Sequence, residues 1–293
     1  MPTFTIISCI TQIIRSGAKP IFVDSDPVTW NMDVSQIEAK ITSKTKAIMI
    51  VHIYGLPVDI QPVLDIAKKH KLKIIEDAAQ MHGQTYNEKP CGSFGDISTF
   101  SFYPNKHITT GEGGMIVTNS EELAEKCKSY RNLCFQPQKR FVHEELGWNY
   151  RITNLQAAVG LAQLENLYKH IKRKREIGNL YNELLKNVAN IQLPLQKTNY
   201  AENIYWVFGI ILKKEIKFDA IDIMKKMGAE KIGTRPFFYP MHLQPVFTKK
   251  GMFRNEKYPV AENMAERGFY IPSGLGITDK QINFVAKTLK SII

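Results

Sequence analysis

The chain has 293 residues, 44% of them hydrophobic, and a formal net charge of +11. That length supports two domains with a sizeable core, no run of roughly 18 apolar residues offers a membrane span, and the first stretch lacks the basic flank, apolar block and small-residue cleavage site of a secretory signal. Cys9, Cys91, Cys127 and Cys134 show no C-x-x-C spacing, which argues against a zinc site or redox pair and fits a reducing cytoplasm.

Apolar and amphipathic segments alternate through the first half. Pro20 to Asp24 reads as a strand and Asp33 to Ile41 as a helix opened by an acidic cap. Thr45 to His52 is a buried strand, Ile60 to His70 a helix, Leu72 to Glu76 the next strand and Ile97 to Phe102 the one after. This β-α-β-α order predicts a mostly parallel sheet covered by helices, with ligands beyond the carboxyl ends of its strands. From Thr153 to about Lys186 the spacing of Leu155, Val159, Ala162, Leu164, Leu167 and Ile171 predicts one long helix. Strands are expected at Tyr205 to Leu212 and Lys231 to Phe238, and helices at Asp219 to Met227, Val260 to Arg267 and Asp279 to Ile292. The expected organisation is a large α/β domain over residues 1–167 and a smaller α+β domain over 168–293. The basic residues (Lys68-Lys69, Lys172 to Arg175, Lys213-Lys214, Lys225-Lys226, Lys249-Lys250) fall on expected helix faces and loops. No nucleic-acid motif accompanies them, so a basic nucleic-acid binder rests on charge alone, and an anionic small ligand would profit from the same field.

Two runs carry chemistry. Ile74-Ile75-Glu76-Asp77-Ala78-Ala79-Gln80 ends a strand in an aspartate followed by small residues. Phe100-Ser101-Phe102-Tyr103-Pro104-Asn105-Lys106 leads from a strand to a lysine, and Gly111-Glu112-Gly113-Gly114 follows. A lysine amine that condenses with an aldehyde and an aspartate that keeps a pyridine nitrogen protonated are the groups that pyridoxal 5'-phosphate (PLP) chemistry needs most. Alone, Asp77 reads as a helix N-cap, Lys106 as an exposed turn lysine and Ser101 as a turn residue. The complete F-S-F-x-x-x-K…G-E-G-G string with Asp77 upstream shifts the balance to a cofactor site. No metal site is expected.

These two runs resemble the sugar-nucleotide aminotransferases of the DegT/DnrJ/EryC1/StrS family, and the resemblance extends over nearly the whole chain. It implies a type I, aspartate aminotransferase-like fold with PLP on Lys106, Asp77 at the pyridine nitrogen, Gln80 at the ring hydroxyl and Ser101 at the phosphate. The branch of the family that removes a hydroxyl has histidine at the lysine position, so Lys106 favours transamination. Gly147-Trp148-Asn149-Tyr150-Arg151 resembles the segment whose asparagine, here Asn149, reaches the cofactor phosphate of a neighbouring subunit, which implies a homodimer with shared sites; read alone, Asn149 is a loop residue before a helix cap at Thr153. Thr234 to His242 resembles the substrate-facing segment of the perosamine-forming branch, placing Arg235 at a carboxylate or diphosphate and His242 in the sugar pocket; read alone, it is an aromatic core strand. The implied reaction is amination of a nucleotide-linked 4-keto-6-deoxyhexose, GDP-4-keto-6-deoxymannose, with glutamate as donor, in surface-polysaccharide (O-antigen) sugar biosynthesis.

The match starts at Met1-Pro2-Thr3-Phe4-Thr5, a strand that relatives place well inside the protein. What precedes it there includes a Gly-Thr turn at a helix N-terminus that holds the phosphate, and Ile6 stands where relatives carry an aromatic residue. Residues 1–293 alone are therefore expected to hold PLP weakly, and a catalytically impaired partner or regulatory subunit is the alternative function.

Overall fold

β-branched and other apolar residues at 47–51 and 73–77 build the centre of the molecule in a computed structural model describing residues 1–293. Strands β1 (Ala47–Val51), β2 (Lys73–Asp77) and β3 (Ile97–Ser101) run parallel, and β4 (Gly114–Val117) closes the sheet antiparallel to β3. The register pairs Asp77 with Val51 on one side and Thr99 on the other, so the carboxyl ends of the three parallel strands finish together. Helix α1 (Ile7–Arg15) lies at the start of the chain, and α2 (Ile60–His70) connects β1 to β2. Ile60, Val63 and Ala67 form the buried face of α2, and Lys71 in the left-handed region ends it. Helix α3 (Glu121–Arg131) follows β4, with the Ser120 side chain accepting from the Leu123 N–H.

Helices α4 (Asn154–Glu165) and α5 (Leu167–Leu185) lead to a second, antiparallel sheet of β5 (Ile191–Gln192), β6 (Phe208–Leu212), β7 (Arg235–Pro236) and β8 (Gly268–Ile271), in the order β5-β6-β8-β7. Helices α6 (Ala220–Ala229), α7 (Pro259–Arg267) and α8 (Asp279–Ile292) pack with it. One buried cluster brings Phe4, Tyr54 and Trp30 against Trp206, Phe237 and Met264, so apolar packing joins residues on both sides of position 167. Asp24 completes this junction by accepting from the N–H groups of Val260 and Ala261 at 3.1 and 2.9 Å, satisfying two donors at the start of α7.

Several expected elements take other forms. Residues 20–24 make only one isolated bridge, a parallel one from Val23 to Pro2. Residues 33–41 form two short 3₁₀ turns, because the Asp33 carboxylate draws in Ser35 and Gln36. The long helix from Thr153 breaks at Asn166, whose backbone leaves the helical region and whose side chain donates back to the Ala162 carbonyl. Of residues 231–238 only Arg235 and Pro236 pair as strand, since proline brings no N–H to a ladder. Helices α1 and α3 and strands β5 and β8 have no counterpart among the expected elements.

Inside the second unit, α5 carries a buried lysine. Lys174 Nζ donates to the carbonyls of Trp206 (2.9 Å) and Ser273 (2.6 Å), and burial pushes its pKa down to about 7. Lys174→Met is expected to lower unfolding free energy by about 2 kcal/mol, because it strands two buried acceptors. Between pH 7 and its ordinary 10.5 the unfolded chain binds more protons at this lysine than the folded one. Its contribution to stability therefore rises with pH across that window. Urea titrations at pH 7 and 9 should show this part of the rise in the parent and not in the variant.

Candidate active site

The candidate site is built on the carboxyl edge of the parallel strands, and Glu76 holds that edge in place. Its carboxylate faces His52 Nε2 at 3.1 Å and accepts from the N–H groups of Gly92, Phe94 (2.9 Å) and Gly95 (3.0 Å) and from the Ser98 hydroxyl (3.1 Å). Burial alone pushes this carboxyl up, but the His52 ring and the backbone donors outweigh it and hold it at about 2. Val58 N–H donates to His52 Nδ1, so the proton on His52 sits at Nε2, facing Glu76.

Asp77, the next residue, ends β2 with its side chain buried. Ala79 N–H donates to Oδ1 at 3.0 Å and the Cys9 thiol donates to Oδ2 at 3.1 Å. Burial, then the charge of Asp77, raises the Cys9 pKa well above its ordinary value, so the thiol keeps its proton. No helix follows Asp77, which rules out the N-cap reading. The carboxylate instead closes a tight turn over small Ala78 and Ala79.

Lys106 lies in the turn after β3, one strand over, with its N–H bonded to the Tyr103 carbonyl at 3.0 Å. Its amine makes no ion pair; Nζ rests 4.0 Å from the centroid of the Trp206 ring. Burial lowers its pKa to about 8, against the opposing charge of Asp77. An exposed turn lysine would have neither this burial nor this shift. Lys106 also borders a cavity of about 350 Å³ that includes Lys174, Trp206, Arg235 and Tyr270 in its walls, together with the loop from Pro272 to Leu275. That wall holds three basic side chains and no carboxylate.

The other sequence-predicted residues divide into two groups. Gln80 is buried, its Oε1 accepting from Tyr54 N–H at 2.6 Å while its amide nitrogen makes no bond within the chain. Ser101 ends β3 and accepts from the Tyr103 N–H at 3.3 Å. Both therefore stand on the same edge as Asp77 and Lys106. Arg235 is exposed and lines the cavity. Asn149 is exposed and accepts from Arg151 Nε at 3.0 Å. His242 is not part of the cavity wall: it is 1% exposed, with Nδ1 paired to the Thr3 hydroxyl at 2.8 Å and Nε2 to Glu262 at 3.0 Å. In the structure it is a buried polar link in the core. Sequence reading missed Cys9, Trp206 and Lys174, none of which adjoins a recognisable motif.

The family model described as DegT/DnrJ/EryC1/StrS aminotransferase matches residues 1–290. The chain belongs to this family. It is 40% identical over 289 residues to the GDP-perosamine synthase of Escherichia coli O157:H7, covering 99% of this chain and 77% of that protein. The GDP-perosamine synthase of Caulobacter vibrioides is 37% identical over 293 residues, covering 100% of this chain and 78% of that protein. Among solved structures, Helicobacter pylori PseC, an aminotransferase, superposes with a TM-score of 0.93 over 99% of this chain and 78% of its own, at 24% identity. That last likeness speaks for the fold alone, the type I aminotransferase architecture.

The family's cofactor, PLP, fits the donor set. A flat ring between an amine and a carboxylate needs the two apart, and Lys106 and Asp77 make no ion pair across the edge. Asp77 has hydrogen-bond donors but no cation of its own, which leaves its charge available to a pyridinium.

Glu76→Gln is expected to lower unfolding free energy by about 3 kcal/mol, because an amide cannot accept from donors on every side. The parent's stabilisation by this group is present above its ordinary 4.5 and is lost as pH falls through about 2. Acid-unfolding curves should lose this component in the variant.

Proposed function

We propose that the chain transfers an amino group to a nucleotide-linked 4-keto-6-deoxyhexose, converting GDP-4-keto-6-deoxymannose to GDP-perosamine with PLP as cofactor and glutamate as donor. The observation that carries the reaction class is the half-buried Lys106, its amine free of any carboxylate partner, on the same strand edge as Asp77. The sugar rests on the likeness to the GDP-perosamine synthases. A wall of Lys106, Lys174 and Arg235 without an acid suits the diphosphate of such a substrate.

PLP supplies, when bound, an electron-accepting ring that stabilises negative charge at the reacting carbon. The chain's own residues do the rest. Lys106 Nζ, with its pKa near 8, exchanges between amine and ammonium close to neutrality, so it can take a proton from the donor's α-carbon and return it. Asp77, fixed at both oxygens, holds the positive charge of the ring nitrogen. Gln80 offers its free amide nitrogen to the ring hydroxyl, and Ser101 its hydroxyl to the phosphate.

The working form in this reading is a cytoplasmic homodimer. Helix α4 buries none of its residues, and Leu155 and Leu161 are 82% and 60% exposed. Trp148 and Tyr150 stack beside Asn149 and are exposed too. A second copy covering this apolar face would bring Asn149 to its partner's phosphate.

Borohydride reduction of the cofactor-loaded protein, followed by peptide mapping, should place the label on Lys106; a label on another lysine would sink the assignment. Asp77→Asn should keep the fold and lower turnover on the order of a hundredfold or more. Near-normal turnover would return Asp77 to a structural turn residue. With a panel of keto-sugar nucleotides, the GDP-linked 4-keto substrate should be the best. Higher turnover of a UDP- or dTDP-linked sugar would overturn the sugar and leave the reaction class standing.

A further inference from the structure

We propose that Trp206 is a positioning residue for Lys106: its indole face seats the Lys106 ammonium in the cofactor-free protein, and the amine leaves that seat to react. The geometry is specific. Nζ stands 4.0 Å from the ring centroid, well within the roughly 6 Å over which an aromatic face attracts a cation. The ring is 7% exposed, so water does little to weaken the attraction.

The seat is rigid. Indole Nε1–H donates to the Asn105 carbonyl at 2.8 Å, tying the ring to the turn that carries Lys106. The Trp206 carbonyl accepts from Lys174 Nζ at 2.9 Å, and Tyr54 packs nearby at 6.0 Å between centroids. Trp206 and Lys106 also share a wall of the cavity proposed for the substrate. The aromatic face vacated by the amine therefore becomes available within that cavity.

Four other titratable groups lie around Lys106 on the surrounding elements. Asp77 on β2 favours its charge, while Cys9 on α1 keeps its proton and stays neutral. His82 and His107 sit close enough to feel its charge, and burial holds them neutral at about 4 and about 3. The indole adds to the forces that keep the proton on Nζ against the effect of burial. Loss of the aromatic face should then move the Lys106 pKa further down and make the amine more reactive at neutral pH.

The proposal deepens the reading of Lys106 as the reactive amine, and it is tested on full-length, cofactor-free protein. Competitive acylation with acetic anhydride from pH 6 to 10, read by mass spectrometry of the Lys106 peptide, gives the amine's titration midpoint. Trp206→Leu should raise acylation at pH 7 about fivefold, while Trp206→Phe, which keeps an aromatic face, should stay within about twofold. An unchanged midpoint in Trp206→Leu, or an equal shift in both variants, would overturn the proposal. A second measurement uses the native side chain. Of the three tryptophan indole N–H resonances in a ¹⁵N spectrum, that of Trp206 should titrate with the Lys106 midpoint, lose this step in Lys106→Met and keep it in Lys174→Met. Absence of the step in the parent protein would overturn the proposal even if Trp206→Leu failed to fold. Both readouts are independent of PLP, so their failure unseats Trp206 alone, whereas a borohydride label away from Lys106 unseats the reactive amine.

Discussion

A carboxylate with no exposure, Glu76, sets the dimensions of the site. A buried anion is tolerated only when donors surround it, and here they come from His52 at the end of β1, from the loop Gly92–Gly95 and from Ser98 on β3. Drawing those groups to one point fixes the loop that enters β3 and the spacing of β2 from it. Asp77 and Ser101, at the ends of these two strands, are placed as a consequence, and the turn bearing Lys106 follows Ser101. The edge proposed to react is thus positioned by a group with no proposed part in the chemistry.

The second constraint is electrostatic. Burial favours a neutral Lys106, whereas Asp77 and the Trp206 face favour a charged one. Neither side wins outright, and the amine's pKa falls only to about 8. A full ion pair with Asp77 would have locked the proton on Nζ and used up the carboxylate. The separation between them serves both residues.

The parts of this arrangement that were legible from sequence are those written in contiguous residues. The strand ends at Asp77 and Ser101 and the turn at Lys106 lie within short runs, and α2 and α8 begin and end as expected because apolar spacing marks both, Asp59 stands at the α2 start and a Thr278 capping box opens α8. Helix α1 escaped notice because Ile6 provides no side-chain cap and no acid stands in the first turn. Trp206 and Cys9 reach the site across long separations in sequence, which no local pattern records. The same limit applies to His242, whose neighbours resemble a substrate segment while its ring is tied to Thr3 and Glu262. Asn166 shows how a single side chain that bonds its own backbone can end a helix whose apolar periodicity runs on.

The bonds from Thr3 to His242 and from Asp24 to the start of α7 span 239 and 236 or more residues. On the ribosome, Thr3 and Asp24 are made long before their partners exist. The segment holding them, including fully buried Phe4 and Phe22, keeps part of its apolar surface uncovered until synthesis passes Ala261. Contacts of such separation close late and slow the search for the native state. The interval between the two events is a window in which that apolar surface is open to aggregation.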